Sequence, residues 1–455
     1  MFGLQQKCTL AAIFGITDKF LATDGRGNER LPKRRIVVTA NVPKWLTVVV
    51  WGMGLCNPPE HHGNAAIFCA VQASTVQEQF FLPFGRPDKE SSELAPVVLS
   101  VLPRNRGAFA SWSPDGRRIA SVTEHEEIVI WDAENGTQVQ VRPAHRDRIR
   151  FARYSPDGRR IVSTSADKTA VIWDEELKVR LMVFREHRDV VSWADFDPCG
   201  FCLVTASYDK KAILWDVRTG AVVRTLVHSD WVRCAAFSPD GTRILTASEN
   251  GEAIIWDAET GRTIVTLEEH EGPVFSAQWS LDGLRVATGT VSKRGSVGFA
   301  HVWDVSTGRL LRTFSEEGGP MRAVAFSPDG SRLLTACGNK VSVWNLPTGM
   351  RVFGLREHKG PVWSAEFSPD ALRIVTTSAD GSTRVWSAKD GRELVQFWSL
   401  RDGNWVTVTP QGYYTASEGA VGRVRHLDKT GKLISARLSR EYYQPWRVKE
   451  MLANP

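Results

Sequence analysis

Long apolar runs are scarce in this 455-residue chain. The densest, residues 45–56, spans about twelve positions, short of the roughly twenty that a membrane helix needs. The wider segment 36–56 follows Lys33, Arg34 and Arg35 and is broken by Asn41, Pro43 and Lys44. A membrane tether through 36–56 is therefore the weaker reading, and a strand or loop the stronger. Clustered charge is also missing. No like-charged run is longer than Lys33-Arg34-Arg35, and the net charge is only +6, which argues against the basic footprint of a nucleic-acid binder. Cysteine is sparse: seven, an odd number at scattered positions. That opposes a disulfide framework and points to a reducing, cytoplasmic compartment. Residues 1–21 lack the charged, apolar, then small order of a secretory leader.

Motifs of cofactor and metal chemistry are absent as well. There is no phosphate-cradling Gly-x-x-x-x-Gly-Lys, no His-Glu-x-x-His and no Gly-x-Ser-x-Gly, so no cofactor is expected. Cys56, His61, His62 and Cys69 lie close together, but their spacing fits no zinc pattern. Cys199 and Cys202 form one Cys-x-x-Cys on a turn, without a second pair. No metal is expected.

What the chain does have is a period. Tryptophans recur at 131, 173, 215, 256, 303, 344 and 386, with spacings of 42, 42, 41, 47, 41 and 42. A second marker keeps the same beat: Ser-Pro-Asp-Gly or a near copy starts at Ser113, Ser155, Asp197, Ser238, Ser280, Ser327 and Ser368, then at Thr409. Periods of this length mean stacked supersecondary units. The unit predicts four short strands, at 148–154, 160–164, 170–173 and 179–184, rich in Val, Ile, Phe and Trp. The Ser-Pro-Asp-Gly tetrapeptide between the first two presets a type I turn.

On these residues the chain resembles the WD-repeat family. Trp-Asp stands at Trp131, Trp173, Trp215, Trp256 and Trp303, whereas Asn345 follows Trp344 and Ser387 follows Trp386. The resemblance covers about three quarters of the chain and implies an all-β propeller of four-stranded antiparallel blades. Seven clear repeats are expected. A degenerate eighth is read from 404–432, where the turn marker returns at Pro410 and His426 stands near the tryptophan position. The strand expected at 96–102 matches the outer-strand place in the period and would close the ring against the last blade. The division is 1–95 as an N-terminal extension, 96–438 as the propeller and 439–455 as a C-terminal cap. The repeat style and the tail resemble bacterial members.

His145, Ser163, Asp167 and Trp173 hold the ingredients of a hydrolase triad, but so do His187, Thr205, Asp209 and Trp215, and again His358, Thr376, Asp380 and Trp386. A nucleophile is needed once, and three copies build blades. The resemblance implies that these are structural tetrads. Other repeats depart: Asn250 replaces the turn acid beside His228, the repeat of His270 has about five extra residues, and Glu316 stands near a histidine position.

The remaining variety lies just after the histidine position. Arg150, Trp231, Arg233, Arg322 and Trp363 are the candidate partner-binding residues, since Trp and Arg dominate interface hot spots. The function expected is a non-catalytic protein or peptide interaction scaffold in bacterial signalling or complex assembly. The alternative is an enzyme or small-molecule sensor using the central channel. Against it, no acid or histidine recurs at one inward position in successive repeats. No nucleic acid is expected as a partner.

Overall fold

In the computed structural model the described residues are 109–123, 126–400, 402–427 and 436–455, with the short strands Ile36–Val37, Val49–Val50 and Ala95–Val98. Two units are distinguished, 1–76 and 77–455. In the first, Ile36–Val37 pairs antiparallel with Val49–Val50. Everything else expected of 1–95, including the metal-like cluster, lies outside the described residues, apart from the opening of the strand at Ala95.

Four antiparallel strands in chain order make each blade of a seven-bladed β-propeller. The blades run from Ala110, Ile149, Val191, Val232, Ser276, Met321 and Val362, the starts of their innermost strands. Burial explains the composition. The second strand of blade 2, Arg160–Ser165, is buried at every position but the first, and the third, Ala170–Asp174, at every position but the last. Strands covered on both faces read as continuous apolar and small residues rather than as alternation. The outermost strand, Arg180–Phe184, is fully covered only at its end.

The turn marker has a clear job. Ser155 Oγ donates to Asp157 Oδ1 and accepts from the Arg160 amide at 3.0 Å, while the Gly158 amide donates to the Ser155 carbonyl. Gly158 sits at φ +71°, a conformation that glycine reaches without the clash a Cβ brings.

Each junction between neighbouring blades holds one apolar cluster, so the seven blades share seven clusters around the ring. A clasp recurs beside them. The arginine that opens the second strand of one blade stacks on the aromatic ring ending the innermost strand of the next. Arg160 stacks on Phe196 at 5.3 Å, Arg243 on Trp279 at 5.2 Å and Arg285 on Phe326 at 5.6 Å. Arg332 stacks on Phe367 at 5.5 Å, and Arg373 on Trp112 at 4.8 Å. Cys202 takes the arginine position in blade 3, which accounts for the odd Cys-x-x-Cys: it packs against the apolar junction with blade 4.

The ring closes between blades 7 and 1. The Ala110 amide donates to Ser364 Oγ at 3.0 Å. Arg373 donates to the carbonyls of Ala133 and Gly116 at 3.2 and 3.0 Å. This corrects two expectations. The stretch read as an eighth blade does not form one: Trp405–Val408 pairs with Glu393–Ser399, and Tyr414–Ala416 follows it, so blade 7 becomes a six-stranded sheet. The in-phase turn marker was real, but these strands hydrogen-bond to an existing edge instead of opening a new sheet. The N-terminal strand, Ala95–Val98, does pair with the chain's last strand, Val424–Leu427, yet in a separate two-stranded sheet and not as a blade strand.

The C-terminal helix Pro445–Ala453 starts with proline in its first turn, where no amide is lost. It sets Val448 and Leu452, 0% and 2% exposed, into the cluster shared by blades 7 and 1. Thr407 Oγ1 donates to the Gly136 carbonyl of blade 1 at 2.5 Å. The tail thus covers the one junction where the chain does not run directly from one blade into the next. Leu452→Ala should cost about 2–5 kcal/mol through the cavity it leaves, read as a lower urea midpoint at unchanged slope. Trp446→Ala, at a 57% exposed position on the same helix, should stay within about 0.5 kcal/mol.

Candidate functional site

The three complete polar sets close as chains of hydrogen bonds. His145 Nδ1 lies 3.0 Å from Asp167 Oδ2, His145 Nε2 lies 2.7 Å from Ser163 Oγ, and Trp173 Nε1 donates to that oxygen at 2.9 Å. The Arg146 amide also donates to Asp167 Oδ2, at 3.1 Å. The carboxylate only accepts, so His145 carries its proton on Nδ1. Ser163 then donates to Nε2 and accepts from the indole. The same geometry joins His187 to Asp209 and Thr205 at 2.9 and 2.7 Å, with Trp215 donating at 2.8 Å. It joins His358 to Asp380 and Thr376 at 2.9 and 2.7 Å, with Trp386 donating at 2.8 Å. Burial raises the carboxyl pKa of Asp167, but hydrogen bonds from His145 and Thr169 outweigh it and hold Asp167 well below the ordinary range. Asp380 is held low in the same way by His358, then Arg384 and Ser382.

The hydroxyls Ser163, Thr205 and Thr376 are fully buried. Each is engaged by both its histidine and its tryptophan, so none is presented to a substrate. Ser163→Ala should leave a buried indole N–H and a buried imidazole nitrogen unpartnered, a loss of about 1–3 kcal/mol readable in the urea midpoint.

The incomplete sets show what the departures do. His228 Nε2 meets Thr246 Oγ1 at 2.9 Å, but its Nδ1 has no hydrogen-bond partner, because Asn250 turns its amide to Ser229. His270 likewise meets Thr288 at 2.8 Å with Nδ1 unpartnered. The extra residues of blade 5 lengthen its second and third strands to Arg285–Val291 and Val297–Asp304. Buried His301, at the third-strand position that Val171 holds in blade 2, lies 5.4 Å from His270, ring to ring. Glu316 does replace a histidine, accepting from Ser342 Oγ at 3.1 and 3.0 Å, while Trp344 still donates to Thr335 at 2.8 Å. In blade 1 Trp131 donates to Ser121 at 2.8 Å, and His125 lies outside the described residues.

Burial pushes His228, His270 and His301 down to about 4. An unfolded histidine titrates near 6.5. Between those values the unfolded chain binds protons that the fold refuses, so stability falls as pH drops from about 6.5 to about 4. Urea midpoints measured across this window should decline steadily, and His228→Gln should flatten the decline.

The open site is the mouth of the central channel. The innermost strands of blades 2, 3, 4, 6 and 7 break register with their neighbours between Ile149 and Phe151, Val191 and Trp193, Val232 and Cys234, Met321 and Ala323, and Val362 and Ser364. A bulge leaves one residue unpaired and re-aims its side chain. The five bulge residues are Arg150, Ser192, Arg233, Arg322 and Trp363, and all line one cavity of about 170 Å³ together with Phe275 of blade 5 and Phe109 of blade 1. Every blade contributes.

Arginines and aromatic rings alternate around this mouth. Arg322 lies between Trp363 and Phe275, at 4.4 and 5.6 Å from the ring centres. Arg233 faces Phe275 at 4.6 Å and Tyr208 at 5.8 Å. Arg150 lies over Tyr208 at 5.7 Å and donates to its hydroxyl at 2.8 Å. Burial, then the charges of Arg233 and Arg150, press the Arg322 pKa below its ordinary value. Arg233 pairs with Glu249. Among the described residues no carboxylate pairs with Arg150 or Arg322.

Four of the five candidate partner-binding residues, Arg150, Arg233, Arg322 and Trp363, therefore meet in one cavity. Trp231 does not line it; it stacks on Tyr208 at 4.7 Å and 8°, half-exposed beside the mouth. Tyr208 and Glu249 were missed. They occupy the hairpin position that holds Ala166 and Ala379 in other blades, and that exchange of alanine for a large polar residue was the available signal.

Below the mouth the channel holds a second group. Arg153 contacts Asp195 at 3.3 Å and Glu366 at 3.6 Å, and all three occupy the same place in their innermost strands. The two acids stand in blades 3 and 7, not in successive blades, and Arg153 of blade 2 reaches both. Burial raises both carboxyls above their ordinary values. Phe109, Trp193, Arg322 and Trp363 line both cavities and so mark their boundary. Among the described residues no group of three or more histidine, cysteine or acidic side chains could hold a metal ion.

Fold and mouth together define the class: a seven-bladed β-propeller with a residue-lined channel entrance. The comparisons agree. WD40 repeats, described as WD domain, G-beta repeat, match at 308–345 and 349–387, and residues 109–318 match the IFT122 first beta-propeller. No curated protein matches the chain.

Proposed function

We propose that this protein is a non-catalytic interaction platform that holds a protein or peptide at the channel mouth. One observation carries the reading. The three complete histidine sets are turned into the blades and fully hydrogen-bonded, while bulges in five blades turn arginine, serine and tryptophan outward to a shared cavity. Propellers of WD40 repeats generally bind protein partners, and the two matches support that class of activity. The setting is complex assembly. The IFT122-type match suggests a eukaryotic ciliary complex, and neither match supports the bacterial signalling context expected from the tail. Cysteine usage supports a cytoplasmic location.

A channel enzyme or sensor would have to use Arg153, Asp195 and Glu366, whose charges largely engage one another. Affinity capture with the full-length chain, compared with Trp231, Arg233 and Trp363 all changed to alanine, tests the platform. Proteins retained by the parent should be lost from the variant at unchanged thermal midpoint, and equal retention by both would refute the proposal.

A further inference from the structure

We infer that the channel mouth selects an acidic peptide segment, whose aspartate or glutamate carboxylates enter between Arg150, Arg233 and Arg322. This rests on the interaction-platform reading and names the chemistry of its partner. The first support is geometric. Bulges in alternate blades 2, 4 and 6 deliver the three guanidinium groups to one rim, with Phe275 and Trp363 filling the same place in blades 5 and 7. Aromatic faces on both sides of Arg322 hold it in place. A guanidinium fixed in this way presents its N–H fork to a carboxylate at little further loss of freedom.

The second support is the contrast with the waist of the same channel. There Arg153 has Asp195 and Glu366 beside it. At the mouth Glu249 reaches Arg233 alone, and the Arg322 pKa is depressed partly by its arginine neighbours. Like charges brought together without counter-charge are costly for the free protein, and an incoming anion relieves that cost.

The third support is size and surroundings. A cavity of about 170 Å³ admits side chains of an extended segment but no folded domain. Many arginines beyond it are already paired: Arg160 with Asp157, Arg243 with Asp240, Arg285 with Asp282 and Arg373 with Asp370. The excess charge is local, which suits a short acidic segment better than a polyanion needing a long basic track.

The test is fluorescence anisotropy with the full-length protein and a labelled twelve-residue peptide containing four glutamates and two leucines, beside its glutamine counterpart. The acidic peptide should bind at least tenfold more tightly than the glutamine peptide, and more weakly as salt rises. Arg150→Gln and Arg322→Gln should each weaken it at least tenfold. Glu249→Gln, which frees Arg233, should strengthen it several-fold, an effect that a misfolded variant cannot mimic. Equal binding of the two peptides, indifference to all three substitutions, or tighter binding of a phosphoserine peptide or an oligothymidylate of matched charge would each overturn the assignment. If partner capture remained sensitive to the triple alanine change in that event, the platform would stand without its acidic preference. If capture were insensitive too, both would fall.

Discussion

A blade of this protein cannot exist by itself, because its second and third strands need cover on both faces. Ile161, Val162, Val171 and Ile172 are all but inaccessible to water, yet they belong to two different apolar clusters, one shared with each neighbouring blade. At about 25 cal/mol per Å² of apolar surface, that cover is the main term favouring the fold. It is available only if the ring closes. Closure is therefore the governing constraint, and the junction between blades 7 and 1 is where it is met without a direct chain connection. Arg373, Thr407, Val448 and Leu452 all act there, so the tail is part of the ring's integrity.

The polar sets inside the blades are subordinate to this packing. Blades with the complete arrangement and blades lacking the turn acid have the same four strands. What changes is the fate of one imidazole nitrogen. With Asp167, Asp209 or Asp380 the nitrogen is bonded; in His228 and His270 it is left without a partner. A buried unpartnered nitrogen costs free energy, and these blades tolerate it because the apolar junctions persist. The histidines thus tune stability against pH.

How much of this could be read from residues alone follows from where each interaction lies along the chain. The tetrads were legible because the set His145, Ser163, Asp167 and Trp173 recurs at fixed spacing in three repeats. The clasp from Arg160 to Phe196 was not, because it joins two repeats and neither residue is unusual in its own. The eighth blade was misread for a related reason: the turn at Pro410 carries the same local chemistry as the others, but hydrogen bonding to Glu393–Ser399 is decided by which edge is free. The mouth was half legible. Arg150, Arg233, Arg322 and Trp363 stood out as variable, whereas the bulges that gather them leave no composition signal, and Trp231 shares their variability without sharing their direction.

Charge placement along the channel is then the final step. At the waist Arg153 has an acid on each side, Asp195 and Glu366, and their charges offset the cost of its partial burial. At the mouth water is available, and arginines can stand nearly uncompensated at modest cost. Their long stems and flat heads lie against Tyr208, Phe275 and Trp363, so part of each side chain is held by dispersion, while Arg150 gives one N–H to the Tyr208 hydroxyl and Arg233 one to Glu249. Phe275 and Trp363 thus support the arginines without competing for their hydrogen bonds, whereas Tyr208 accepts one from Arg150. Glu249 is the one carboxylate among the described residues that pairs with any of the three, and it pairs with Arg233. A site arranged in this way keeps its donors for something that arrives from outside, which is what separates a recognition surface from another structural ion cluster in the same channel.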